Sequence, residues 1–323
     1  MFLNLLFFSS ILSISSNSWF GMWLGMEVNM LSMITLMNNV KNSFSSESSM
    51  KYFITQAISS SVMLMSIILL NYSMMKNYST MMINSSMFMK MGAAPFHFWF
   101  PEIMEGLNWM NSLLILSWQK IAPMMVMNYN KSNLLFIILV ILFSITIGAI
   151  MGLNQMSMRK IMTYSSINHL GWMIMSLMLI ESIWMMYFLI YCFILVNIIL
   201  IMNLNKSFLF NQLMNSLSKF KFMKLMFMVN FLSLGGLPPF LGFIPKWFTI
   251  QWMMVKNFTM MGMIMVCFTL ITLFFYIRII MISLSLNSNE TLSNCSNNKN
   301  FYLMMFNAMN ISSLLLFSLF MMT

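Results

Sequence analysis

Five ionisable residues lie in long apolar stretches, where a charge is costly, and they are the residues whose types could do chemistry. They are Glu27 in GMEVNM, Lys90 in FMKMGAAP, Lys120 in WQKIAP, His169 in SSINHLGW and Lys246 in FIPKWF. A charge at the centre of a bilayer costs roughly 2.5–3.5 kcal/mol on insertion scales. A buried lysine close to a carboxylate is a titratable group that can take up and release a proton. The chemistry that these residues predict is proton movement.

Four of these residues also have a purely structural interpretation. Lys246 is close to the end of a predicted span, from which a lysine side chain can reach the interface. Glu27 can form a structural ion pair with one of the lysines, and His169 can be a hydrogen-bonded core histidine. Lys120 could reach an interface in the same way, but it is flanked on both sides by apolar residues, which favours a functional role.

Other classes of active site find no support in the sequence. It contains no glycine-rich phosphate loop, no cluster of cysteine or histidine with ligand spacing, and no nucleophile paired with a base. Cys192, Cys267 and Cys295 are isolated, which is typical of packing residues. We therefore expect no metal site and no site for a cofactor.

The elements that must position the five residues are membrane helices. The chain has 323 residues, of which 60% are hydrophobic and 7% charged, whereas soluble domains carry about a quarter charged residues. Apolar runs of roughly 20 residues recur along its length, as expected for helices that cross a bilayer. We predict an all-α, polytopic helical bundle forming a single domain over residues 1–323. Its eleven spans are predicted at roughly 2–17, 19–40, 52–72, 79–99, 110–129, 133–153, 160–180, 182–203, 225–246, 257–283 and 301–321.

The residue usage indicates a mitochondrial gene. The sequence has 47 methionines, no aspartate and only two arginines, and the favoured residues are largely those of AT-rich codons. A genetic code in which AUA also means methionine explains the methionine excess. The N-terminal MFLNLLFFSSILSISS lacks both a positive region and a cleavage site, so it is predicted to be the first membrane helix rather than a signal peptide.

The basic residues of the connections predict the orientation. With the N-terminus in the matrix, ten lysines and arginines fall on the matrix side and three on the other side. We therefore expect the N-terminus in the matrix and the C-terminus in the intermembrane space. The long connection 204–224 mixes apolar and basic residues, which is typical either of an interfacial amphipathic helix or of an irregular loop.

Two spans share an interruption. APFHFWFPE at 94–102 and PPFLGFIPK at 238–246 both contain P-F-x-x-x-x-P. In transporters, corresponding interrupted spans in the two halves of a chain indicate inverted repeats and an ion path. Broken backbone at membrane depth is tolerated where protein or a water-filled cavity satisfies it. We therefore predict two discontinuous helices, one with Lys90 and one with Lys246.

Three motifs together resemble a known family. KMGAAPFHFWFPEIMEG with SWQKIAP, then NQMSMRKIMTYSSINHLGWM, then FLSLGGLPPFLGFIPKW are similar, in order and spacing, to the antiporter-like membrane subunits of respiratory complex I. The resemblance covers most of the chain from residue 19 onward. It implies eleven spans, because animal versions of one such subunit have lost three N-terminal helices.

The resemblance also implies roles for the five residues. Glu27 matches a glutamate that pairs with the lysine of the first broken helix, here Lys90. Lys120 matches a central lysine, Lys246 an exit-side lysine, and His169 a histidine beside the hydrated axis. Other membrane subunits of complex I, including a neighbouring antiporter-like subunit, membrane lipids and protons are the implied partners, and nucleic acid is not. FMN, iron–sulfur clusters and ubiquinone are implied to be bound by other subunits and not by this chain.

These observations lead to the hypothesis of a proton-translocating membrane subunit of the mitochondrial inner membrane. The path would run from Lys90, under the control of Glu27, through Lys120 and past His169 to Lys246. One alternative is a structural subunit whose buried charges only hold helices together. Another is a subunit of a cation/proton antiporter, which shares the ancestry.

Overall fold

The computed structural model describes residues 1–38, 42–72, 75–210, 212–213 and 221–285, and within them the chain is all-helical apart from an isolated β-bridge between Ser157 and Leu209. It divides into two compact units, described separately here. The first contains Met1–Ile147 with His169–Ile174, and the second contains Gly148–Asn168 with the residues from Met175 onward. The predicted all-α class is confirmed, whereas the prediction of a single domain stays a prediction.

The helices of the first unit precede residue 148, and two further helices have residues in both units. The first unit contains α1 (Phe2–Ser15), α2 (Trp19–Met37), α3 (Ser43–Leu69), α4 (Lys76–Met91), α5 (Trp99–Gly106), α6 (Trp109–Leu116), a 3₁₀ turn (Trp118–Lys120) and α7 (Ile121–Asn128). The helices with residues in both units are α8 (Leu134–Gly152) and α9 (Met158–Leu179).

Among the described residues, further helices follow in the second unit. They are α10 (Glu181–Asn205), α11 (Lys221–Gly235), α12 (Phe243–Val255) and α13 (Thr259–Ser285). The bridge between Ser157 and Leu209, together with a hydrogen bond from Met158 N to Phe208 O at 3.1 Å, joins the start of α9 to the residues after α10.

Several helices are long and apolar enough to cross a membrane. Among the described residues these are α2, α3, α8, α10 and residues 259–281 of α13. Helix α1 is apolar but has 14 residues, a length of about 21 Å against a hydrocarbon core of about 30 Å. The count of eleven spans stays a prediction. The predicted span 301–321 lies outside the described residues, as do residue 211 and residues 214–220 of the connection 204–224.

The first predicted break is present. Helix α4 ends at Met91, and Gly92 follows with a φ of 74°, a left-handed conformation that favours glycine. The amides of Gly92 and Ala93 close the helix by donating to Met89 O at 3.2 Å and Phe88 O at 3.0 Å. Helix α5 starts only at Trp99, so Lys90 occupies the last turn before an interruption.

Helix α5 is held against α3. A Cβ on Gly106 would lie 2.3 Å from the carbonyl oxygen of Phe44, so only glycine allows this approach. Lys51 forms ion pairs with Glu47 at 2.8 Å and with Glu102 of α5 at 3.0 Å. The short helix after the first break is therefore fixed at both of its ends.

The second predicted break is also present. Helix α11 ends at Gly235, and Gly236 adopts a left-handed φ of 78°. Gly242 precedes α12, and a Cβ there would lie 1.7 Å from the carbonyl oxygen of Ser233. The backbone of the break thus folds directly onto the last turn of α11. The two discontinuous helices are confirmed, and the inverted relation of the two halves stays a prediction.

The predicted span 110–129 contains a third interruption, which was not predicted from the sequence. Helix α6 ends at Leu116, the backbone tightens to a 3₁₀ turn, and α7 begins at Ile121. Pro123 is the cause, since it has no N–H to donate to the carbonyl of Gln119 and its ring clashes with that carbonyl in a continuous helix. In the observed structure Pro123 lies in the first turn of α7, where proline is tolerated.

Candidate functional site

Lys90 and Glu27 act on each other without touching. Lys90 is buried, with 8% of its surface exposed, and the negative charge of Glu27 acts on its ammonium. No direct ion pair joins the two side chains, and Glu27 Oε2 is a buried oxygen without a hydrogen-bond partner among the described residues. The predicted pairing of Glu27 with Lys90 therefore stays a prediction, with a charge interaction between the two residues and no ion pair among the described residues.

A cavity lies beside Lys90, within the first unit. It is lined by residues from α2, α3, α4, the 3₁₀ turn and α7: Met26, Asn29, Met30, Tyr52, Gln56, Lys90, Gln119, Ala122 and Pro123. The space open to the centres of water molecules is about 20 Å³, and one water needs about 10–15 Å³ of such space. The wall is rich in amide groups, so the cavity can bind water.

Lys120 is almost completely buried, with 1% of its surface exposed. The 3₁₀ turn positions it, because Lys120 N donates to Ser117 O at 3.2 Å. Its Nζ lies 5.7 Å from the centroid of the Phe100 ring, within the range of a cation–π interaction. Phe100 in turn packs on the first break, since its ring atoms lie 3.1 Å from the position of a Cβ on Gly92. One aromatic ring therefore separates Lys120 from the break that follows Lys90.

His169 is buried in α9, in the part of that helix that belongs to the first unit. Two residues further on, Gly171 allows α9 to approach α8 closely, because a Cβ there would lie 2.5 Å from Ile145 Cγ1 and 2.6 Å from Ser144 Oγ. His169 thus lies in the unit that contains Glu27, Lys90 and Lys120, and its place beside a proton path stays a prediction.

Lys246 is fixed to the second break rather than directed to the interface. Its side chain is buried, and Nζ donates to the carbonyl oxygens of Gly235 at 2.8 Å and Leu234 at 3.4 Å. The last carbonyls of a helix have no partner within the helix, and they carry the negative end of its dipole. The interpretation of Lys246 as a lysine that reaches the interface is therefore wrong for this structure. Lys246 lies in the second unit.

Gly236 makes room for Lys246. A Cβ on Gly236 would lie 2.8 Å from Lys246 Cδ and 3.0 Å from Nζ, and its φ is positive. We expect Gly236→Ala to cost roughly 1–2 kcal/mol in backbone strain and to move the ammonium away from the two carbonyls. Under the hypothesis that Lys246 belongs to a proton path, the variant should fold but move protons more slowly, which proton uptake by membrane vesicles measures.

Gly235→Ala is the matched control, because a Cβ on Gly235 meets its nearest atom, in the Tyr276 ring, at 3.5 Å, an ordinary contact. Gly235→Ala should leave proton translocation unchanged. Equal losses in both variants would contradict a specific role of Gly236 in placing Lys246.

Three amide side chains of the cavity were not predicted from the sequence. Gln119 Nε2 donates to Asn29 Oδ1 at 3.1 Å, and Gln56 Nε2 lies 3.5 Å from the carbonyl oxygen of Lys90. All three lie within predicted spans, where polar side chains are expensive. A polar side chain within a predicted span was the signal that could have identified them. The many asparagines elsewhere in the chain made that signal hard to recognise.

An all-helical membrane chain with two interrupted helices and a buried lysine at each interruption defines the antiporter-like class of membrane proteins. The chain belongs to the NADH:quinone oxidoreductase/Mrp antiporter transmembrane family, whose model matches residues 16–272. The resemblance expected from the three motifs is thereby confirmed.

Relatives and solved structures agree with this family. NADH-ubiquinone oxidoreductase chain 2 of Anopheles gambiae is 47% identical, with 99% of this chain and 96% of the relative covered. The protein of the same name from Mus musculus is 37% identical, with 85% and 83% covered. A chain of respiratory complex I from Thermus thermophilus shares the fold at a TM-score of 0.89 and 18% identity, covering 98% of this chain and 78% of that chain. A chain of the Mrp complex from Dietzia sp. shares the fold at a TM-score of 0.76 and 14% identity, covering 91% of this chain and 62% of that chain.

Proposed function

We propose that this chain is a core membrane-arm subunit of respiratory complex I, in the position that chain 2 takes in its relatives. It contributes to proton translocation, coupled to electron transfer from NADH to ubiquinone elsewhere in the complex. The observation that carries the proposal is the burial of Lys90, Lys120 and Lys246, two of them at the breaks of discontinuous helices. A buried lysine amine can take up and release a proton inside the membrane, where a free ion is not stable.

Glu27, Lys90, Lys120, His169 and Lys246 are the residues proposed for the path. Protonation of Lys90 is favoured while Glu27 is charged, since opposite charges stabilise each other at low dielectric. Loss of that influence releases the proton toward Lys120, and Lys246 is the exit-side group. These roles rest on burial, on the charge interaction between Glu27 and Lys90, and on the family motifs.

Lys90→Met is the direct test. Methionine has a similar length and fills the same space, and among the described residues Lys90 forms no direct ion pair with Glu27, so we expect the variant to assemble. We expect the number of protons moved per electron to fall in the assembled complex of a tractable relative that carries the same residues. Lys76→Met, an exposed lysine at the start of the same helix α4, is the control and should leave that ratio unchanged. A normal ratio in the Lys90 variant would exclude the pumping role and favour a structural subunit.

A cation/proton antiporter subunit is the second candidate, favoured by the family match and by the fold shared with the Mrp complex. Sodium transport separates the two candidates. Vesicles with the assembled complex should build a proton gradient on NADH oxidation that is independent of sodium. A strict requirement for sodium would favour the antiporter.

The location and the cofactors belong to the same proposal. The chain is a multi-pass membrane protein, and we place it in the mitochondrial inner membrane with its N-terminus in the matrix. FMN, the iron–sulfur clusters and ubiquinone are assigned to other subunits, and the partners are other membrane subunits of the complex together with lipids. Protease treatment of mitoplasts carrying an N-terminal epitope tests the orientation, since the epitope should be protected.

A further inference from the structure

We infer that Asn29 and Gln119 position a water molecule that serves as the hydrogen-bond partner and proton acceptor of Lys90. This inference rests on the proposed function and assigns two residues to it that the motifs do not contain. Asn29 is buried on α2, two residues beyond Glu27, and Gln119 directly precedes Lys120 in the 3₁₀ turn. The hydrogen bond between their amides at 3.1 Å forms part of the cavity wall beside Lys90.

The first step concerns the donors of Lys90. An ammonium has three N–H donors, and a buried one is costly unless they are satisfied. Among the described residues no side chain or carbonyl accepts a hydrogen bond from Lys90 Nζ. The side-chain hydrogen bond found at this residue is donated by Gln56 Nε2 to the backbone oxygen of Lys90. A partner other than protein is therefore required, and the adjoining cavity has room for one water.

The second step concerns the acceptors for that water. A bound water needs two to four polar partners. Gln56, Gln119, Asn29 and Tyr52 line the cavity together with Lys90. The amide hydrogen bond uses Nε2 of Gln119 and one lone pair of Asn29 Oδ1, which leaves the Gln119 oxygen and a second lone pair on Asn29 as acceptors. The pair thus presents carbonyl oxygens, the groups that orient a water to receive a proton from an ammonium.

The third step connects the cavity to Lys120. Pro123 prevents a continuous helix here, and the resulting 3₁₀ turn directs two consecutive side chains to different surroundings. Gln119 lines the cavity beside Lys90, whereas Lys120 lies over the ring of Phe100. Gln119 and Lys120 are joined by one peptide unit, so the hydrogen bonds of Gln119 help to hold the backbone that places Lys120.

The proton transfer is balanced. An N–H bond of the Lys90 ammonium breaks and an O–H bond to the water forms, which leaves a neutral amine. The water gives one of its other protons onward toward the neutral amine of Lys120, directly or through further water. One positive charge has then moved from Lys90 to Lys120, and the water is unchanged.

Gln119→Met tests the inference, since methionine fills a similar volume without polar groups. In the assembled complex we expect proton-coupled turnover about tenfold slower than in the unmodified protein, as a misplaced reacting group costs at least that much. The solvent deuterium isotope effect on turnover should rise, because proton transfer becomes rate-limiting. Gln251→Met, an exposed glutamine on α12, is the matched control and should change neither quantity.

A second variant separates the relay from folding. Gln119→Met leaves the buried oxygen of Asn29 without its donor, which alone can destabilise the protein, whereas Asn29→Leu combined with Gln119→Met removes both partners and relieves that cost. We expect the double variant to assemble at the normal level and still to show slow turnover with a raised isotope effect. Recovery of normal turnover in the double variant would overturn the inference.

Lys90→Met, measured in parallel, distinguishes the two possible failures. If Lys90→Met lowers the proton-to-electron ratio and Gln119→Met leaves turnover and isotope effect unchanged, the water site is wrong and the proposed function stands. If Lys90→Met itself leaves the ratio normal, the proposed function fails first.

Discussion

Lys120→Met is expected to stop proton translocation through this chain while the complex still assembles. Lys120 is almost fully buried and its ammonium lies over Phe100, so methionine replaces a charged side chain by an apolar one of similar length. Methionine removes the cost of burying an ammonium, which favours assembly, whereas loss of a positioned proton carrier slows transfer by about 10²–10⁴-fold. Proton uptake per electron, measured in vesicles with the purified complex, is the test.

Lys120→Arg sharpens this test. Arginine keeps the positive charge and the cation–π interaction but does not release its proton in proteins. If Lys120 is a proton carrier, the arginine variant should lose translocation as well. If the charge only holds helices together, the arginine variant should behave normally. Lys131→Met, in the connection after α7, controls for the general loss of a lysine. Normal translocation in the arginine variant would contradict a relay through Lys120.

The sequence revealed the lysines because each is expensive where it lies. Lys90, Lys120 and Lys246 lie in apolar runs, and a buried position was the physical expectation for each. It is borne out for all three. The surroundings of Lys246 could not be predicted from the sequence. Its contact with Leu234 and Gly235 depends on how the break folds back, which the spacing of residues does not determine.

The two interruptions that are rich in proline and glycine were predicted from the sequence, and the one that depends on a single proline was not. The breaks at Pro95–Pro101 and Pro239–Pro245 repeat one motif, whereas the 3₁₀ turn at Lys120 depends on Pro123 alone. A single proline is tolerated in the first turn of a helix, so the sequence permits either a kinked helix or a new helix start. The amide pair of Asn29 and Gln119 was hidden for another reason, since its members are 90 residues apart.

The two breaks share their motif but satisfy the end of the preceding helix differently. At the end of α4 the indole N–H of Trp99 donates to Met89 O at 3.2 Å. At the end of α11 the ammonium of Lys246 takes this role. A cation at a helix C-terminus is stabilised by about 0.3–1 kcal/mol, so the carbonyls at the end of α11 offset part of the cost of burying the Lys246 charge. At the first break, Lys90 instead lines the cavity and interacts with the charge of Glu27. The same motif therefore places two lysines in different surroundings, one beside a cavity and the other against helix carbonyls.

Gly242→Ala is expected to prevent assembly, and it is the largest structural effect that we predict. A Cβ on Gly242 would lie 1.7 Å from the carbonyl oxygen of Ser233 and 2.8 Å from its carbonyl carbon. These atoms are backbone and cannot rotate away, so the turn of the second break must open. We expect a loss of about 3 kcal/mol or more in the free energy of unfolding, seen as little assembled complex on native gels and a lowered thermal midpoint.

Gly262→Ala is the matched control within the same unit. Gly262 lies in helix α13, and a Cβ there would meet its nearest atom, Met253 Cε of α12, at 3.7 Å, an ordinary contact. Alanine in a helix interior is favoured over glycine by roughly 0.5–1 kcal/mol, so this variant should assemble at least as well as the unmodified chain. Normal assembly of Gly242→Ala would show that the break does not fold back on Ser233. Because Gly236→Ala should assemble and Gly242→Ala should not, the two variants separate placement of the lysine from closure of the break that carries it.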